Sequence, residues 1–151
     1  DLPKPPSGKN APTFMVGALK DPWSGNLDRI QIIKGWVDEA GKRHEKIYDV
    51  AVSDGRIIGR DGRCKMPVGN TVDKKNATYL NKIGDAELRA TWVDPEFNPK
   101  HRAVYYARVL EIPTPTWQAH DAHFFGTQMP KGVPLSHQER AYTSPIWYTA
   151  R

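Results

Sequence analysis

His120 and His123 stand three apart in His-Asp-Ala-His, a spacing that can place two imidazoles on one helical turn with Asp121 between them. A zinc site needs three or four converging ligands and groups to orient them. The neighbourhood adds Phe124, Phe125 and, further along, His137. The pair therefore reads as polar residues on the outside of a loop or helix, and no metal ligand and no cofactor is assigned to this chain. Cys64 lies in a basic loop with Arg60, Arg63 and Lys65, which would favour its thiolate if the loop were exposed. A cysteine enzyme also needs a histidine in contact, and one thiol makes neither an internal disulfide nor a thiolate metal cage.

The acidic residues Asp21, Asp28, Asp49, Asp54, Asp94, Glu96 and Glu111 fall mostly at strand ends or turn starts. Asp-Pro at 21–22 and 94–95 suits turn initiation, because the carboxylate accepts nearby backbone N–H groups. A glycosidase would need two carboxylates facing each other across a cleft, an arrangement that chain order does not specify. The sequence holds no Gly-x-Ser-x-Gly elbow, no Walker loop and no Gly-x-Gly-x-x-Gly, so no catalytic residue is assigned. Among the tryptophans, Trp36 and Trp92 lie in strand centres and read as core. Trp23 and Trp117 sit beside turns and are the candidate ligand-binding residues, able to stack on a sugar or another small ligand.

Such residues must be held by a scaffold, and alternation defines it. Residues 13–19, 28–38, 45–53, 87–93, 103–112 and 145–149 read as strands, and Pro113-Thr114-Pro115 as the stop of the fifth. In 28–38, Ile30, Ile32 and Trp36 share one face, with Arg29, Gln31, Ile33 and Val37 on the other. Asp54-Gly55 and Asp61-Gly62 are turn signatures. A short helix fits only near 117–126, and no helical crossover of 10–15 residues separates the strands, which excludes a parallel sheet. The expected fold is mainly β: an antiparallel β-sandwich or partly open barrel with long Pro/Gly-rich loops and at most one or two short helices.

With 13 prolines, 12 glycines, 38% apolar and 10% aromatic residues, the composition agrees with a loop-rich β fold. The 151 residues suffice for a real core. Residues 1–10 read as an extended linker and 11–151 as a single β-rich domain, with no signal-peptide pattern at the start. No apolar run is long enough for a membrane-spanning helix. A net charge of +5, with acidic residues interleaved among the basic ones, gives a mild attraction to polyanions and specifies no nucleic-acid site. Location is open between the cytoplasm and export.

Six ordered blocks carry a family likeness: Ala11-Pro12-Thr13-Phe14 with Asp21-Pro22, residues 27–36 (LDRIQIIKGW), Tyr48-Asp49-Val50-Ala51, Trp92-Val93-Asp94-Pro95, residues 105–115 (YYARVLEIPTP) and residues 138–149 (QERAYTSPIWYT). Together they resemble the C-terminal part of a mainly bacterial, uncharacterised family, domain of unknown function 3604. The resemblance implies longer proteins whose N-terminal part is similar to PHP-type metal-dependent hydrolases. Any divalent metal would then be bound upstream, and the partner of this segment would be that upstream domain. One departure is Thr116, where the family pattern leads us to expect an arginine before the tryptophan of Pro-Thr-Pro-x-Trp.

The residues agree with an accessory, non-catalytic role. Arg29, Lys34, Arg108, Glu111, Glu139 and Arg140 are charges embedded in apolar strands or tight motifs, and buried charges must be paired. They are expected to form a structural charge network or a face that docks on another domain. The alternatives are a free-standing carbohydrate- or small-ligand-binding module, and a polyanion binder.

Overall fold

The computed structural model describes residues 11–150. The expected linker at 1–10 lies outside the described residues. The architecture is mainly β, with two antiparallel sheets and one short helix, and the sheets do not close into a barrel. Strand β1 (Thr13–Leu19) pairs with β4 (Glu87–Val93) as a two-stranded sheet. The larger sheet contains β2 (Leu27–Val37), β3 (Arg43–Val52), β5 (Arg102–Pro115), β6 (Ser136–Tyr142) and β7 (Ile146–Tyr148). Its order is β3-β2-β5-β6, and β7 also pairs with β5. The partners of β5 divide its length, with β7 opposite 103–105 and β6 opposite 108–115. Between them, Thr143 is hydrogen-bonded through both its backbone and its hydroxyl to Ala107.

The core lies between the sheets and follows from the alternation. Phe14, Val16 and Ala18 of β1 and Leu88 and Trp92 of β4 point toward Ile30, Ile32 and Tyr105. One cluster is built on Leu27, Ile30 and Leu88, the other on Ile32, Ala103 and Tyr105. Val50 packs against both, and Phe14 and Trp92 extend the second through aromatic contacts to Tyr105 and Tyr48. In β3, alternation breaks at a bulge: Gln31 faces Asp49 and Ile30 faces Ala51, which leaves Val50 as the extra residue.

Two expectations about the elements need correction. Strand β5 does not stop at Ile112 but runs through both prolines to Pro115. Proline is tolerated there because β2 begins at Leu27, opposite Glu111, so this end of β5 has only β6 beside it. Strand β6 has no counterpart in the sequence reading. Its SHQERAY has no apolar alternation because most of it is exposed at the sheet edge. The helix α1 (Trp117–Phe125) follows β5 and ends at Gly126, whose φ of 63° is a left-handed C-cap. Thr116, the departure noted above, is the N-cap position of this helix, and its hydroxyl donates to the carbonyl of Pro134.

Loop geometry decides what reaches the sheet. Gly62, at φ 77°, lies so close to Tyr48 that a Cβ would come within 2.8 Å of the ring. This approach lets the loop run along the β3 edge, with Asp49 N–H donating to the carbonyl of Gly62 and Cys64 N–H donating to the carboxylate of Asp49.

Candidate functional site

Two polar systems sit on opposite faces of the large sheet. The first is on the face turned away from β1 and β4 and is centred on Asp28 and Asp49, both buried. Asp49 accepts from Cys64 N–H at 2.7 Å, Gln31 Nε2 at 2.6 Å and Arg29 at 3.1 Å, and Arg63 lies 3.4 Å away. Asp28 accepts from Arg29, from Arg56 at 2.6 Å and from Gln138 at 2.9 Å. Burial alone would lower the Arg29 pKa, but the adjacent Asp28 and Asp49 outweigh it and hold the guanidinium above its ordinary value. Gln31 passes the arrangement on: its amide donates to Asp49 while its carbonyl accepts from Arg108 Nε at 2.8 Å.

The second system faces the interior at the other end of β2. The ammonium of Lys34 lies 2.6 Å from Asp94 and donates to the carbonyl of Glu96 at 2.8 Å, with the rings of Trp36 and Tyr105 within 6 Å. Asp94 also accepts from the Tyr105 hydroxyl at 2.8 Å and from Glu96 N–H at 2.9 Å. The Glu96 side chain pairs with Lys46 and accepts from Tyr48 at 3.1 Å. Lys46, ahead of the other contributions, holds the Glu96 carboxyl below its usual range.

Burial, and then the carboxylates of Asp94 and Glu96, push the phenols of Tyr105 and Tyr48 above their ordinary value. The unfolded chain releases these protons near pH ~10, whereas the folded protein keeps them. Stability contributed by the two tyrosines is therefore complete below that pH and lost as the pH rises above it. Urea unfolding across pH 9–11 is expected to show this decline, and Tyr105→Phe and Tyr48→Phe should each make it shallower. A decline of unchanged slope in both variants would contradict the assignment.

The structure brings Arg29, Arg108 and Arg140 onto the first system's face and separates the other charges named from sequence. Lys34 is on the interior face. Glu111 accepts from the Ser24 hydroxyl at 2.5 Å. Glu139 is exposed and pairs with His137. The residues that hold these charges together are Asp28, Asp49, Gln31, Arg56 and Asp94, of which the three aspartates read from sequence as strand-end or turn residues. A carboxylate inside an apolar strand, as in Tyr48-Asp49-Val50, was the available signal. Asp21 and Asp94 do act in turns, accepting from Trp23 N–H and Glu96 N–H.

Trp23 and Trp117 are both exposed, Trp23 almost wholly. His120 and His123 lie on α1, where His123 bonds to the carbonyl of Lys75. Among the described residues no group of three or more His, Cys, Asp or Glu could hold a metal ion. Cys64 is buried, so the exposed-loop condition for its reactivity is not met. No helix among the described residues is long and apolar enough to cross a membrane. A cleft of about 250 Å³ opens between the sheets, lined by Phe14, Val16, Ile32, Tyr105 and Ile146 among others. Its lining residues include no carboxylate, histidine or lysine. Among the described residues, every buried polar side-chain atom has a hydrogen-bond partner.

The carboxylates of both systems are each engaged by several donors. A family model described as "Protein of unknown function (DUF3604)" matches residues 1–150. No curated protein and no solved structure matches the chain.

Proposed function

The chain belongs to the DUF3604 family of proteins of unknown function, and from that premise we propose that it is a non-catalytic accessory β-domain that docks on a metal-dependent hydrolase-like domain of the same protein. The outer face of the β1–β4 sheet carries this reading. It presents Met15 at 86%, Leu19 at 75% and Val93 at 51% exposure, bordered by Glu87 and Arg89. A two-stranded sheet with one face on the core and the other bare is marginal by itself, and its exposed apolar residues gain from being covered. β1 precedes the other strands in the chain, so a domain joined ahead of it would be tethered to this sheet, which raises its effective concentration there.

Two measurements test the proposal. The chain alone, supplied with Mn²⁺ or Mg²⁺, is expected to turn over no p-nitrophenyl phosphate; chelator-sensitive turnover would overturn the non-catalytic reading. The substitutions Met15→Lys and Leu19→Lys, made together, should leave the melting temperature of this chain nearly unchanged. In a protein that carries the chain behind its upstream domain, they should lower it by several degrees. Equal melting curves with and without the pair in that longer protein would remove the docking face.

A further inference from the structure

We propose that Arg108 and Arg140 form a receptor for a small oxyanion, a carboxylate or a phosphate, on the face of the large sheet turned away from β1 and β4. The register places Arg108 opposite Tyr142 and Leu110 opposite Arg140, so the two arginines are diagonal neighbours on adjacent strands. Among the described residues, neither guanidinium lies within ion-pair distance of a carboxylate, whereas Arg29, Arg56, Arg63 and Arg89 all do. Arg29, Arg56 and Arg63 share Asp28 and Asp49 on this face, and Arg108 and Arg140 add two charges there that no carboxylate pairs.

The geometry of Arg108 is fixed from below. Its Nε is engaged by Gln31, itself buried and anchored to Asp49, which leaves the terminal nitrogens for the outer side. The register sets Tyr142 opposite Arg108 and two residues along from Arg140 on β6, and the two guanidiniums hold its phenol below its ordinary pKa. The Tyr142 ring lies 6.4 Å from that of Tyr106 and is more than half exposed, so a ligand has both an approach and an aromatic surface beside it. Two unpaired guanidiniums on neighbouring strands repel each other, and an anion seated between them converts that repulsion into charge-assisted hydrogen bonds. This site is independent of the docking face on β1 and β4.

The test follows Tyr142 by NMR of ring-carbon-labelled tyrosine, assigned with Tyr142→Phe, in the full chain. Inorganic phosphate and succinate are titrated separately at constant ionic strength maintained with sodium chloride. A saturable shift of the Tyr142 signal is expected, and the arm that saturates at lower concentration identifies the oxyanion class. Arg140→Gln, which alters an exposed side chain, should raise the half-saturating concentration by about tenfold or more. Arg108→Gln should do the same, with folding checked by circular dichroism. A response that is linear and equal to that of added chloride would overturn the proposal, as would a saturable shift that survives in Arg140→Gln.

Discussion

Replacing Asp49 with alanine is expected to remove about 3–5 kcal/mol of folding stability, a large part of what a domain of this size possesses. The side chain is fully enclosed, and every group that touches it is a donor: Cys64 N–H, the Gln31 amide, Arg29 and Arg63. Alanine strands these donors away from water. Asparagine, although of the same shape, should still cost about 2 kcal/mol or more, since one oxygen becomes an NH₂ facing donors. If Gln31 flips to accept from that NH₂, its own NH₂ turns toward Arg108 Nε, and the misfit moves one residue outward. Arg63→Ala provides the contrast, because that arginine is 41% exposed and its removal should cost less than about 1 kcal/mol. Urea unfolding with an unchanged m-value measures all three. A loss below about 1 kcal/mol for Asp49→Ala would show that these donors find water in the folded state.

The same carboxylate marks where sequence reading ends. The strands were legible because Ile30, Ile32, Phe14, Val16 and Leu88 alternate with residues that face away from the core, a local pattern with a period of two. Helix α1 was legible from the lack of any other place for one. Strand β6 was not, since an exposed edge strand needs no apolar period, and the continuation of β5 through Pro113 and Pro115 depends on where β2 begins. The pairing of charges is less local still. Gln31 meets Asp49 across β2 and β3, Arg108 across β2 and β5, and Gln138 reaches Asp28 from 110 residues away. Each meeting depends on register and on the bulges at Ile30/Gln31 and Leu110/Pro113, which no local pattern encodes. Arg29 and Lys34 are five residues apart on one strand, but odd spacing sends them to opposite faces. A network drawn from composition joins them, and the pleat separates them.

Lys34→Met should be the second costly change, at about 3–5 kcal/mol, because it leaves the carboxylate of Asp94 enclosed without its cation. The reasoning differs from that for Asp49. Lys34 and Asp94 are a single pair set among apolar and aromatic groups, with Trp36 and Tyr105 beside the ammonium. Two charges withdrawn from water gain little net stability from each other, and the cost appears when one is left alone. Combining Lys34→Met with Asp94→Leu should therefore restore part of the stability that either substitution removes. The restoration is incomplete because Asp94 also accepts from the Tyr105 hydroxyl and from Glu96 N–H, which begins the turn after β4. A double-mutant cycle by urea unfolding should give a coupling of about 2 kcal/mol or more. Losses that simply add would mean that Asp94 acts through the turn and the tyrosine alone, with the lysine as a bystander.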